Sequence, residues 1–311
     1  MTDTKELVDM CGKFHVTGAS VDNIVKVVSS MDCSDDNRDQ ILGNIKDVLE
    51  SNSKLLYGNS KLRTSVSGNY DLSVLNSSIP AEEIVEMVKN AISTSDYLAE
   101  GNKGIRMLFY GLSGTGKTEL AHYIAEKNDK KLLIKKASDI LGMYVGESEQ
   151  KIKEAFQEAA DTDSILLFDE ADTFFGNREN AVRSWERSLV NEFLTQMEAF
   201  DGIVICTTNL RTIMDPAMQR RFHIITEFKP LKDSGIELLL NRYFSDFVFS
   251  KNDIHNLSKM ESVTPGDFSS LSGRIRFLPK EKLSKSFIID ELLQIQHEKK
   301  SNSSQRIGFM G

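Results

Sequence analysis

The chain has 311 residues, with 38 basic against 46 acidic side chains for a net charge of −8, and 40 % of its positions are hydrophobic. This is an ordinary globular composition, large enough to bury a sizeable core without staples. It excludes a membrane-spanning helix, since no charge-free run approaches ~20 residues, and its acidic balance argues against wrapping nucleic acid. Cys11, Cys33 and Cys206 are odd in number and far apart; they suit a reducing cytoplasm better than a disulfide or metal framework. The acidic, broken start MTDTKELVDM predicts no secretory leader. Five scattered histidines lack metal-ligand spacing.

Residues 1–51 are expected to form an N-terminal helical segment. Val21, Ile24, Val25 and Val28 repeat at helical spacing, as do Ile41, Leu42, Ile45, Val48 and Leu49. Residues 52–69 are polar and read as a linker. Pro80, followed by Glu82 and Glu83, opens a helix whose face is Ile84, Val88, Ala91 and Ile92. From Ile105 short apolar runs alternate with amphipathic segments, which predicts a parallel sheet with crossover helices. Strands are expected at 105–110, 131–135, 164–168, 203–207 and 222–228, with helices at 117–128, 147–160 and 184–197. Beyond Pro230 no strand run appears. Residues 235–249, the Phe268 region and 283–299 read as helices. The organisation is therefore a large α/β domain at 70–230, a helical lid at 231–299 and a polar tail at 300–311.

Gly111-Leu-Ser-Gly-Thr-Gly-Lys-Thr118 matches G-x-x-x-x-G-K-[ST], and it stands where that phosphate-binding loop must stand, after a strand and before a helix. Backbone N–H groups around Gly111, Ser113, Gly114, Thr115 and Gly116, with the helix N-terminus, suit phosphate oxygens. Lys117 adds a full charge and Thr118 a hydroxyl for Mg²⁺, and Glu119 beside them completes the expected cofactor-binding set. The apolar run from Ser164 ends in Asp169 and Glu170, 52 and 53 residues after Lys117. Asp169 is placed to join Thr118 at a metal, and Glu170 to activate a water. A nucleoside triphosphate with Mg²⁺ is the expected cofactor pair, and the resemblance these motifs carry implies ATP.

On these motifs the sequence resembles the AAA+ ATPases, and within them the AAA clade proper. Further stretches carry the resemblance in register. Cys206-Thr-Thr-Asn209 is similar to sensor 1, which implies that Asn209 works near the γ-phosphate. Ile213-Met-Asp-Pro-Ala-Met-Gln-Arg-Arg-Phe222 resembles the second region of homology, which makes Arg220 and Arg221 the arginine fingers given to a neighbouring subunit. They lack the Pro-Gly that often separates such a pair. Ala137-Ser-Asp-Ile-Leu-Gly-Met-Tyr-Val-Gly-Glu-Ser-Glu149 is similar to the approach to pore loop 1 and puts Tyr144 at the channel-lining aromatic position. A second pore loop is expected near 175–184, with Arg178 and Arg183. Gly266 stands where many AAA+ proteins carry a sensor 2 arginine, and the clade proper lacks that arginine too; Gly266 instead lets backbone approach adenine. Trp185, Thr264-Pro-Gly-Asp-Phe268 and Arg306-Ile-Gly-Phe309 resemble segments of a group of bacterial AAA ATPases.

The resemblance implies a five-stranded parallel sheet in the order 5-1-4-3-2, a helical lid, and hydrolysis at the interfaces of a ring, most simply a hexamer. It further implies a protein partner, remodelled by threading past Tyr144 in the cytoplasm. An ATP-gated assembly switch and a DNA-directed motor are the alternatives; the intact Lys117, Glu170 and Asn209 disfavour the first, and the acidic charge the second.

Overall fold

The computed structural model describes residues 71–94, 104–142, 146–174, 184–209 and 216–305. The expected N-terminal helices, Tyr144, the second pore loop apart from Ser184, and Arg306–Gly311 lie outside them. Five strands, β1 (Ile105–Gly111), β2 (Leu132–Lys136), β3 (Ile165–Asp169), β4 (Ile203–Thr208) and β5 (Ile224–Phe228), form one sheet in the order β2-β3-β4-β1-β5. Every pairing is parallel. Read from the other edge, this is the order that the resemblance implied.

Alternation along each strand fills both faces. Leu108 of β1 with Leu166 and Phe168 of β3 point into one core, while Met107 and Phe109 with Ile165 and Leu167 point into the other. The first core is closed by α4 (Glu147–Asp161) and α5 (Ser184–Ala199), where Phe156 and Phe193 meet Phe168 with ring centroids 5.4 and 5.0 Å away. The second is closed by α1 (Ala81–Thr94), through Ile84 and Val88, and by α2 (Lys117–Lys127), through Leu120 and Ile124. Two short helices, α3 (Ala137–Ile140) and α6 (Pro216–Gln219), follow β2 and precede β5. Strand β5 begins at Ile224, two residues later than its apolar run suggests. Phe222 instead sits in a turn, its N–H bonded to the Gln219 carbonyl and its ring buried in the first core.

A separate helical layer contains α7 (Asp233–Tyr243), α8 (Lys251–Ser258), α9 (Pro265–Ile275) and α10 (Lys285–Gln305), packed on their own apolar cluster. The expected single helix over 235–249 is in fact broken. It stops at Tyr243, and Ser250 starts α8 through a capping box in which Ser250 and Asp253 bond each other's backbone N–H. Val74, from the turn Leu72–Val74, is buried in this cluster, so the stretch before α1 ties lid to sheet. That stretch also clasps the end of β5. Ser78 N–H donates to the Glu227 carbonyl at 2.9 Å, and Lys229 N–H to that of Asn76 at 2.7 Å.

Candidate functional site

Strand β1 lies between β4 and β5 and delivers its chain at the C-terminal edge of the sheet, where the strand order reverses and open α/β sheets bind ligands. Gly111 ends it with φ +138°, and a Cβ there would stand 2.1 Å from the Phe228 carbonyl oxygen. A side chain at this position would push β5 off the sheet. The loop then turns into α2, whose first residues are Lys117 and Thr118.

Lys117 is 7 % exposed. Its ammonium donates to the carbonyls of Gly111 and Leu112, each at 2.8 Å, and to Asn209 Oδ1 at 3.0 Å. Burial pushes its pKa down to about 8, against the opposing pull of Asp169, Asp172 and Glu170. Thr118 Oγ1 donates to Asp169 Oδ1 at 3.0 Å, which brings a hydroxyl and a carboxylate from two distant segments to one point. Thr207, at the end of β4, donates from its hydroxyl to that same Asp169 oxygen at 2.5 Å and accepts the Glu170 N–H at 3.1 Å. Glu170 holds φ +56°, a left-handed backbone that costs a non-glycine residue about 1–3 kcal/mol and persists where surroundings fix it. The Thr207 hydroxyl is one such constraint. Asp172 shapes the next turn, accepting from the Thr208 hydroxyl and from Asn209 N–H, the latter at 3.0 Å.

The lid closes the site from above. Gly266 N–H donates to the Gly114 carbonyl at 2.9 Å, and a Cβ on Gly266 would lie 3.0 Å from Gly114 Cα. Only glycine permits that approach without displacement. Thr264 and Asp267 form a capping box at the start of α9. The buried Asp267 carboxylate also accepts from Gln296 at 2.9 Å and from Lys299 at 2.6 Å, both on α10.

Ser113, Gly114, Gly116, Lys117, Thr118, Glu119, Asp169, Glu170, Asn209 and Gly266 thus line one cavity of about 360 Å³, a size suited to a small ligand. Gly111 and Thr115 do not face it. Thr115 is buried and bonds the Leu112 carbonyl at 2.7 Å, so it braces the loop from behind. Thr207, with Asp71, Val74 and Leu75 from before α1, Leu239, Arg242 and Tyr243 of α7, and Pro265 and Ser269 of α9, completes the wall; the sequence carries no signal for the α7 residues or for those before α1, because only folding brings them to the loop. A larger groove, about 880 Å³, lies at the opposite edge and contains none of these groups.

Arg220 and Arg221 are not in the cavity. They precede β5, and in the β1–β5 register Met107 pairs with Ile224 at the far end while Gly111 pairs with Phe228 at the loop end. Those four steps alone span roughly 13 Å. Arg220 is exposed, and Arg221 forms an ion pair with Glu198 at the end of α5.

The site is chemically suited to MgATP. Thr118 and Asp169 are hard oxygen donors of the kind Mg²⁺ takes alongside phosphate oxygens, and a buried ammonium stands beside a helix N-terminus. Residues 107–230 match the family model of the ATPase family associated with various cellular activities (AAA). An ATP-dependent zinc metalloprotease, the chloroplastic FTSH 9 of Arabidopsis thaliana, is 31 % identical over 196 residues, which are 60 % of this chain and 24 % of that protein. The chain thus spans about a quarter of that relative's length. Among solved structures, the FIGL-1 AAA domain in complex with ADP superposes with a TM-score of 0.57 at 17 % identity, covering 83 % of this chain and 98 % of that one. The HORMA:CdnC:Trip13 complex of E. coli MS115-1 contains a similar chain, with a TM-score of 0.53 at 21 % identity over 70 % of this chain and 86 % of that one. These two likenesses concern the fold. Over residues 107–230, about two fifths of its length, the chain is thus similar to the AAA family of ATPases.

Proposed function

We propose that the chain is a Mg²⁺-dependent ATPase that works as a ring, most simply a hexamer, and remodels a protein partner by drawing it past Tyr144. The observation that carries the ring is the place of Arg220 and Arg221. They lie across the sheet from Lys117 and cannot reach this subunit's own cavity, so they suit a neighbour's nucleotide.

Bound MgATP supplies a γ-phosphate open to in-line attack by water. Thr118 and Asp169 would hold the metal, which would neutralise phosphate charge, and Lys117 would exchange its carbonyl acceptors for phosphate oxygens. Glu170, aimed by the Thr207–Glu170 hydrogen bond, takes the water's proton. Asn209 and Lys117 share a hydrogen bond and so stand together at the γ-phosphate end. Gly266 brings the lid down on the loop and couples nucleotide state to lid position. A protein partner is supported by the acidic charge, which disfavours nucleic acid, by Tyr144 between two glycines, and by the Trip13-containing complex, in which a similar chain sits with a HORMA protein.

Subunit mixing tests the shared site. Glu170→Gln lacks the base and Arg220→Ala lacks the finger, so each alone should hydrolyse ATP slowly. In a mixed ring, a normal finger from the first meets a normal base in the second, and activity should return. Mixtures no more active than either parent would contradict a shared site.

A further inference from the structure

Two consecutive arginines precede β5, and their surroundings differ. The turn that carries them is anchored on both sides by core residues, Met218 at 2 % and Phe222 at 6 % exposure, and the Arg221 N–H bonds the Met218 carbonyl at 3.0 Å. Arg220 points outward and is exposed, whereas Arg221 lies back against its own subunit with its Nε on Glu198 Oε1. Glu198 is firmly mounted. Its neighbour Met197 is fully buried, Phe200 fills the core two residues on, and its carbonyl accepts from Arg106 Nη1 of β1 at 3.3 Å.

We infer that Glu198 is a positioning residue of the shared ATPase site: it clamps Arg221 and so fixes the turn from which Arg220 reaches the neighbour's γ-phosphate. This rests on the finger reading above and divides the work within it. The pair is about a third to a half exposed, 32 % and 48 %, so it adds little to stability. Its value is geometric. A guanidinium on a flexible stem loses much rotamer freedom when it is placed, and a turn fixed beforehand lowers that loss at the reacting centre. With Arg221 tied down, the chain direction at Arg220 is set, and the exposed side chain is the one that can cross a subunit boundary.

The clamp needs opposite charges, not a particular order of them, and this makes it testable in the full chain. Arg220→Ala, Arg221→Glu, Glu198→Arg and the double exchange Glu198→Arg/Arg221→Glu are compared by ATP affinity, kcat, and solution mass with ATP. Arg220→Ala should lower kcat about 1000-fold or more, the low end for a lost finger. Each single exchange should lower kcat roughly 10- to 100-fold with ATP affinity held, and the double exchange should regain at least about tenfold over Arg221→Glu, with assembly restored in parallel. If the double exchange stays as low as Arg221→Glu while Arg220→Ala is also inactive, Arg221 itself touches phosphate and the clamp is wrong, though the finger reading stands. If Arg220→Ala hydrolyses ATP normally, the finger reading fails and the clamp with it.

Discussion

The Lys117 ammonium donates to Asn209 Oδ1 at 3.0 Å, joining the first turn of α2 to the residue that follows β4, 92 positions away. In the proposed mechanism these two groups meet the terminal phosphate of the nucleotide. With burial holding Lys117 near 8, its proton is lost over an accessible range. Binding phosphate demands the charged form, so ATP affinity should be flat well below pH 8 and weaken about tenfold per unit above it. For the nucleotide-free protein the sign is opposite. Between 8 and the ordinary 10.5 the unfolded lysine keeps a proton that the folded one has shed, so this group adds stability as pH rises. Titrations of a fluorescent ATP analogue from pH 6.5 to 9.5 check the first point, and a flat profile contradicts it.

Thr207 binds both halves of the acidic pair, donating to Asp169 and receiving Glu170 N–H. Thr207→Val should leave that N–H unpartnered and Glu170 misaimed. We expect a stability loss of about 1–3 kcal/mol, a kcat lowered roughly tenfold or more, and rescue by Thr207→Ser, while ATP affinity changes little. Steady-state kinetics alongside calorimetric binding separates the two effects.

Gly266→Val tests the lid contact. A Cβ 3.0 Å from Gly114 Cα meets backbone, which cannot rotate away, so the lid must lift off the loop. Overpacking of this kind costs typically 1–3 kcal/mol, equivalent to about a tenfold or greater loss of ATP affinity. Unchanged affinity would mean that the lid closes without this contact.

Gln296 is fully buried and divides its amide between Asp267 and Ser262. Gln296→Leu should leave polar partners unmet and lower stability to chemical denaturation by roughly 1–3 kcal/mol. It should also weaken ATP binding, because Asp267 caps the helix that carries Gly266. Stability lost with ATP binding intact would separate the lid core from the site.

The large domain was legible because its signals are local. The phosphate loop is a contiguous string, Asp169 and Glu170 end an apolar run, and strand alternation separates Met107 from Leu108. The strand order came from family resemblance rather than from periodicity, since no pattern within one strand names its neighbour. The break after Tyr243 is hidden in the sequence because Phe244, Phe247 and Phe249 prolong an apolar stripe; the contrary signal is Ser250 three residues before Asp253. Thr207 as a support, and Arg242 and Tyr243 as cavity wall, are illegible for another reason. Their roles arise only when β3, β4 and the lid converge.

The proposed shared site is tested most directly by the solution mass of full-length Glu170→Gln, with ATP and Mg²⁺ and without nucleotide. Removing the base while keeping Lys117 and Asp169 should hold the ATP-bound state, and the mass should rise to that of about six subunits, a closed ring. A monomer under both conditions would contradict fingers supplied between copies of this chain.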